Sequence, residues 1–124
     1  MPLEALQHVN IRCVDVEAAR AFYEGVLGLT VGARPPFQSK GYWMYIGDHP
    51  VVHLVQRPIG EAAAPGPGNL DHVGFGGVDL DGTRAKLQAA GITFREKLVP
   101  RDGTVQIFLS DPDGIQVELN FNSA

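Results

Sequence analysis

Three histidines and one glutamate have the residue types and spacing of a metal site. They are His8, His53, His72 and Glu118. Imidazole and carboxylate groups in this ratio suit a divalent ion such as Zn²⁺, Ni²⁺, Fe²⁺, Mn²⁺ or Co²⁺. One ion would satisfy all four polar groups, whereas separate buried side chains would each need a partner of their own. The decisive question is therefore whether the fold brings the four side chains to one surface.

Taken alone, each of these residues has a second interpretation. His53 occurs in Val-Val-His-Leu-Val-Gln, whose β-branched residues indicate a strand. A histidine there is either a core residue with a hydrogen-bond partner or a side chain that faces a ligand. In the same way, His8 and His72 are either ligands or strand-edge residues in contact with solvent. Glu118 is either a ligand or an exposed residue of an amphipathic strand.

An internal repeat relates these residues to one another. Residues 6–29 and 70–92 share identical residues at a constant offset of 64 positions. The first copy contributes Leu6, His8, Val9, Val14, Asp15, Arg20 and Ala21, which match Leu70, His72, Val73, Val78, Asp79, Arg84 and Ala85. Matches this dense at one spacing indicate two copies of one structural unit.

Each copy predicts the same order of elements. A strand is followed by an aspartate that suits a helix N-cap, Asp15 or Asp79, and the helix is ended by Gly28 or Gly91. Three further strands follow in each copy. The predicted strands are 5–13, 30–35, 42–47 and 50–56, then 70–78, 93–99, 104–110 and 114–121, and the predicted helices are 17–27 and 81–90. The fold class is therefore α+β, a single domain over 1–124 with βαβββ modules at 5–56 and 70–121 and a Pro-, Gly- and Ala-rich linker at 57–69.

Alternation along the strands places the polar side chains on one face. His8, Asn10 and Arg12 alternate with Val9, Ile11 and Cys13, and His72 alternates with Val73 in the second copy. In the last strand Gln116, Glu118 and Asn120 alternate with apolar residues. Aligning Val52-His53-Leu54 with Val117-Glu118-Leu119 makes His53 and Glu118 equivalent. All four candidate ligands are thus expected on the face opposite the helices.

Composition excludes several classes of function. The chain has 124 residues and a net charge of −4 with no basic run, which argues against a nucleic-acid partner. No apolar run approaches the roughly 18 residues of a membrane span, and the first residues lack the features of a signal peptide. Cys13 is the single cysteine and is expected to be inert packing, as Phe22 and Tyr23 are expected to be core residues. A cytoplasmic location follows as the default.

Three segments make the chain resemble the vicinal oxygen chelate superfamily, also called the glyoxalase/bleomycin resistance protein/dioxygenase family. They are "LQHVNIRCVDVEAARAFYEGVLGL", "LDHVGF" and "LSDPDGIQVELNF". The resemblance implies that the two modules form an eight-stranded incomplete barrel around one divalent metal ion. The family's ligand positions fall on His8, His53, His72 and Glu118. The resemblance also implies a small-molecule substrate bound through adjacent oxygens, enolate or alkoxide chemistry, and a homodimer that sometimes exchanges modules.

The resemblance leaves three activities open. The favoured one is a glyoxalase-like lyase or isomerase with Glu118 as the catalytic base, although His53 replaces the second glutamate of bacterial glyoxalase I. An Fe(II) ring-cleaving dioxygenase requires that His53 does not bind the metal. A non-catalytic, bleomycin-resistance-like binding protein is the third.

Several side chains are expected to line the substrate pocket. The candidates are Asn10, Arg12, Tyr45, Gln106, Phe108 and Asn120, with Trp43 as the alternative to Tyr45 for one wall. Arg12 either pairs with an anionic substrate or forms a salt bridge with a carboxylate of the protein.

Overall fold

The structure is a computed structural model that describes residues 2, 4–58, 60–61, 70–100 and 103–122. The chain divides into two compact units, Met1–Ala64 and Pro65–Ala124, which correspond to the two predicted modules. Most of the predicted linker, residues 59 and 62–69, lies outside the described residues. Among the helices of the described segments, none has the length and apolar character needed to span a membrane.

The first module is a four-stranded sheet with one helical segment. Its elements are β1 (Val9–Cys13), α1 (Val16–Arg20), a π-helical continuation (Ala21–Val26), β2 (Thr30–Gly32), β3 (Gly41–Ile46) and β4 (His49–Gln56). The strand order is β1-β4-β3-β2, with β1 parallel to β4 and the other pairs antiparallel. Strand β4 is thus central and carries His53 between β1 and β3.

The helical segment begins as predicted and changes its geometry halfway. The Asp15 carboxylate accepts hydrogen bonds from the backbone N–H groups of Glu17 and Ala18 at 3.1 and 3.2 Å. The helix predicted over 17–27 is present over 16–26, but its second half is π-helical: Leu27 N–H bonds to the carbonyl of Phe22 at 3.0 Å, one residue further back than in an α-helix. Two consecutive aromatic residues, Phe22 and Tyr23, are both buried there. The π-helical turn thus contains two adjacent buried rings.

The second module repeats the arrangement. Its elements are β5 (His72–Gly77), α2 (Leu80–Ala89), β6 (Arg95–Leu98), β7 (Val105–Ser110) and β8 (Gln116–Phe121). The strand order is β5-β8-β7-β6, with β5 parallel to β8. Asp79 caps α2 by accepting from Gly82 N–H at 3.0 Å. A side chain at Gly82 would lie 2.1 Å from the Asp79 carboxylate, so this cap needs glycine.

Four of the predicted strands, at 5–13, 70–78, 93–99 and 114–121, begin at least two residues earlier than the strands of the structure. The strand expected at 5–13 starts at Val9, and the one expected at 70–78 starts at His72. Leu6, which precedes β1, is 90% exposed, so burial does not hold the earlier residues against the sheet. The strand expected at 30–35 ends at Gly32, because the prolines at 35 and 36 have no N–H for a ladder.

The alternation of faces is confirmed in both modules. Ile11 and Cys13 are buried in β1, whereas Asn10 and Arg12 are exposed. In β8 the buried residues are Val117, Leu119 and Phe121, which alternate with Gln116, Glu118 and Asn120. In β1, β4 and β8, burial of the apolar residues therefore fixes which face the polar side chains occupy.

Candidate functional site

His8 and His53 lie together in the first module. His53 is in the middle of β4, and His8 is the residue immediately before β1. Their rings are stacked, with centroids 3.9 Å apart and planes 11° from parallel. The Trp43 ring of β3 stacks on the other face of His53 at 4.0 Å, because the two residues are direct partners in the ladder. His53 is thus held between two rings, whereas His8 is exposed.

One nitrogen of each of these rings is engaged by an oxygen. His53 Nε2 lies 3.0 Å from the carbonyl oxygen of Pro50, so Nε2 donates and Nδ1 keeps its lone pair. His8 Nδ1 donates to Gln7 Oε1 at 3.1 Å, which leaves Nε2 free. Burial lowers the pKa of His53, and the His8 ring and the Arg34 guanidinium lower that pKa further. His53 is therefore held neutral, the form of imidazole that binds metals.

His72 and Glu118 form the corresponding pair in the second module. His72 Nδ1 donates to the Asp71 carboxylate at 2.9 Å, and His72 Nε2 lies 3.8 Å from Glu118 Oε1. The hydrogen bond to Asp71 raises the pKa of His72, and the charge of Glu118 adds to that rise. A separation of 3.8 Å is below about 4.2 Å, the span of two ligand bonds to one zinc ion. The two atoms can therefore bind the same ion.

Two amide side chains hold the Glu118 carboxylate. Gln106 Nε2 donates to Glu118 Oε1 at 3.1 Å, and Asn120 Nδ2 donates to Oε2 at 3.0 Å. Gln106 Nε2 also lies 3.1 Å from Asn120 Oδ1. On β5 the ladder partner of Glu118 is Gly74, where a side chain would come within 3.2 Å of Oε2. The absence of a side chain at Gly74 therefore leaves room for the Glu118 carboxylate.

All three histidines share one arrangement: one ring nitrogen donates to an oxygen acceptor, and the other makes no hydrogen bond to the described residues. Metal-binding histidines in proteins have this outer hydrogen bond almost without exception, because it fixes the tautomer and the ring orientation. The sequence prediction missed the acceptors Gln7, Pro50 and Asp71. For Asp71 a signal exists, since an acid directly precedes the candidate ligand in "LDHV".

The pocket candidates of the first module have different surroundings. Asn10 lines a cavity of about 430 Å³ together with His8, His53 and Trp43. Arg12 forms an ion pair with Glu61 at 2.9 Å, the second of its two predicted roles. The hydroxyl of Tyr45 donates to the Ala33 carbonyl at 2.6 Å, and Trp43 rather than Tyr45 lines the cavity.

The pocket candidates of the second module surround Glu118. Gln106 and Asn120 contact it directly, and Phe108 is its ladder partner on β7. The Arg95 guanidinium lies 4.6 Å from the centre of the Phe108 ring, and both residues line a cavity of about 470 Å³.

Each module thus brings together one pair of candidate ligands. Among all the described residues, the structure contains no group of three or more His, Cys, Asp or Glu side chains arranged to hold a metal.

Comparison with known proteins identifies what the chain resembles. The model of the glyoxalase/bleomycin resistance protein/dioxygenase superfamily matches residues 5–119. The uncharacterized protein YaeR of Escherichia coli K12 is 24% identical over 94% of this chain and 95% of its own. A putative glyoxalase family protein from Bacillus anthracis has a TM-score of 0.78 and 22% identity, covering 98% of this chain and 97% of the other. The lactoylglutathione lyase of Agrobacterium tumefaciens has a TM-score of 0.72 and 24% identity, with 98% and 96% covered.

Proposed function

Because the chain belongs to the glyoxalase/bleomycin resistance protein/dioxygenase superfamily, we propose that it is a metal-dependent enzyme of glyoxalase-like lyase or isomerase type. Its substrate is a small molecule with oxygens on adjacent atoms. The proposed ligands are His8, His53, His72 and Glu118. The observation that carries the proposal is the shared arrangement of the three histidines, each with one nitrogen fixed by an oxygen and the other free.

The donor set suits a borderline divalent ion. Three imidazole nitrogens and one carboxylate are ligands that Zn²⁺, Ni²⁺, Fe²⁺, Mn²⁺ and Co²⁺ accept. Such an ion, when bound, would act as a Lewis acid on the substrate oxygens. Its identity is a matter for metal analysis.

Glu118 is the residue that we propose to move the proton. Its two oxygens have different surroundings, since Oε1 is next to His72 Nε2 and Oε2 is held by Asn120. This difference allows one oxygen to act as a ligand and the other to accept a proton from a carbon beside a carbonyl group. Gln106 and Asn120 orient the carboxylate for that transfer. The likeness in fold to a lactoylglutathione lyase fits a reaction of this class.

Hydrogen exchange tests the proposal directly. The metal-loaded protein is incubated in D₂O with a panel of 2-hydroxyaldehydes, 2-hydroxyketones and thiol adducts of 2-oxoaldehydes, and deuterium uptake is followed by NMR. We expect exchange at the carbon beside the carbonyl, and its loss in Glu118→Gln. Glu96→Gln is the matched control, because Glu96 belongs to the same module and pairs with Arg84. Exchange that survives in Glu118→Gln would contradict the role of this carboxylate.

A second activity, ring cleavage by an Fe(II) dioxygenase, is favoured by one observation. A metal bound to an imidazole lies near the plane of the ring, about 2.1 Å from the nitrogen. The nearly parallel rings of His8 and His53, 3.9 Å apart, cannot both point at one ion in that way. Either the exposed His8 ring turns when metal binds, or His53 stays off the metal and leaves two histidines and one carboxylate, the ligand set of non-haem iron oxygenases.

The variant His53→Ala separates the two activities. A lyase with four ligands loses most of its metal affinity in this variant. A dioxygenase keeps its iron and continues to consume oxygen in the presence of catechols. A wild-type protein that retains no metal would favour the non-catalytic binding protein instead.

A homodimer is also part of the proposal. The number of chains is measured by light scattering coupled to size-exclusion chromatography. A mass of one chain at all concentrations would contradict this part of it.

A further inference from the structure

The cavity of the first module has an unusual charge. Its described lining residues are Gln7, His8, Asn10, Arg34, Phe37, Ser39, Trp43, His53, Leu54 and Val55. They include one permanently charged group, Arg34, and no carboxylate, although the whole chain has a net charge of −4. The cavity is therefore locally positive.

Among the described residues, Arg34 has no carboxylate partner for its charge. Its Nη1 and Nη2 atoms donate to the backbone carbonyl and the hydroxyl of Ser39 at 3.0 and 3.2 Å, which are neutral acceptors. Its Nε atom is buried and has no acceptor in the part of the chain that the structure describes. Across the described part of the chain Arg34 has no ion pair, whereas Arg12 is paired with Glu61. An anionic ligand at the guanidinium would supply the charge-assisted hydrogen bond that these neutral acceptors do not.

Aromatic faces lie directly beside this cation. The Arg34 guanidinium is 5.1 Å from the centre of the Phe37 ring. Phe37 is 54% exposed, and its ring centre lies 6.4 Å from that of Trp43. Trp43 in turn stacks on His53 at 4.0 Å. The cavity thus offers flat apolar surface between a cation at one end and a candidate metal ligand at the other.

We propose that this cavity selects a substrate with a flat, aromatic or conjugated group that bears a carboxylate. The carboxylate is bound by Arg34, and the flat group lies against Phe37 and Trp43. The inference deepens the proposed function and rests on it in one respect, namely that this cavity belongs to the substrate site. Arg34 thereby takes the role that the sequence suggested for Arg12.

Trp43 provides the test, because it is the single tryptophan of the chain. Its fluorescence is titrated with benzoate and with the neutral isostere benzamide, using full-length protein stripped of metal by a chelator. Removal of the metal ensures that the carboxylate is not bound by an ion. We expect benzoate to bind at least about tenfold more tightly than benzamide, because a hydrogen bond to a charged group is worth more than a neutral one. Added salt should reduce the difference.

Three variants locate the effect. Arg34→Gln should weaken benzoate binding about 10- to 100-fold and remove the preference over benzamide. Arg34→Lys keeps the positive charge and should keep the preference for benzoate. This variant shows whether the charge, rather than some other property of the arginine side chain, causes the preference. Arg20→Gln is the matched control, since Arg20 also lies over an aromatic ring, that of Tyr42, but does not line the cavity. Circular dichroism of each variant confirms that it is folded.

The outcomes separate this inference from the proposed function. Equal binding of benzoate and benzamide, no binding of either, or unchanged benzoate binding in folded Arg34→Gln would overturn the inference. None of these results bears on metal retention, which is measured on each preparation before the chelator is added. A protein that binds benzoate through Arg34 yet never retains metal would keep the ligand class and refute the metal-dependent reaction.

Discussion

Replacement of Gln106 by methionine tests how the Glu118 carboxylate is held. Methionine has nearly the same length but cannot donate the 3.1 Å hydrogen bond to Glu118 Oε1. A hydrogen bond to a charged group contributes about 1.5–3 kcal/mol, and water replaces part of it because the Glu118 side chain is 17% exposed. We therefore expect a net loss of about 1–2 kcal/mol in metal binding, which is about 5- to 30-fold in the dissociation constant.

The assay is a competition titration of the stripped protein with Co²⁺ or Zn²⁺ against a chromophoric chelator. Gln116→Met is the matched control, because Gln116 lies two residues from Glu118 on the same face of β8 and makes no hydrogen bond to its carboxylate. The free energy of unfolding of metal-free Gln106→Met should fall by about 1 kcal/mol or less. An unchanged metal affinity in folded Gln106→Met, or an equal loss in Gln116→Met, would refute the reasoning.

Two further predictions concern other contacts. The Tyr42 hydroxyl lies 2.9 Å from Glu17 Oε2 and lowers the pKa of Glu17. The ionised carboxylate therefore stabilises the fold at pH values above its unfolded-state pKa. This stability is lost as the pH falls through the folded-state pKa. Tyr42→Phe should raise the Glu17 pKa in an NMR titration and reduce the acid-dependent loss of stability, and a stability difference that is the same at every pH would contradict this. Gly74→Ala should weaken metal binding by crowding Glu118 Oε2 at 3.2 Å, whereas Gly76→Ala, with nothing within 4 Å, should not. Equal effects of the two alanines on metal affinity would show that crowding is not the cause.

The sequence was a good guide to the secondary structure because its signals are local. The caps at Asp15 and Asp79, the left-handed glycines Gly28 and Gly91, and the alternation of faces in β1 and β8 each depend on neighbouring residues. The π-helical turn was not predictable, since it depends on how adjacent aromatic rings pack in the core.

The surroundings of the candidate site depend on contacts between distant residues. The alternation of side chains along the strands and the internal repeat identified which side chains share a face. In each module the two predicted ligands lie beside each other. Arg12 pairs with Glu61, whereas Arg34 has no ion pair within the described residues, and no spacing in the sequence encodes this difference. Arg34 occurs in "ARPPF", which indicates only a loop. The neighbours of a cation, rather than its position in a pattern, decide whether it is available to a ligand.

Metal content tests the central claim most directly. Wild-type protein is purified without added metal, and its metal content is measured by plasma mass spectrometry beside that of His8→Ala, Glu118→Ala and His49→Ala. His49 is the control, because it is the exposed fourth histidine and lies outside the proposed ligand set. We predict one divalent transition-metal ion per chain in wild type and in His49→Ala, and its loss in the other two variants. A wild-type protein without metal and with unchanged thermal stability in chelator, or a loss in His49→Ala equal to that in His8→Ala, would contradict the account.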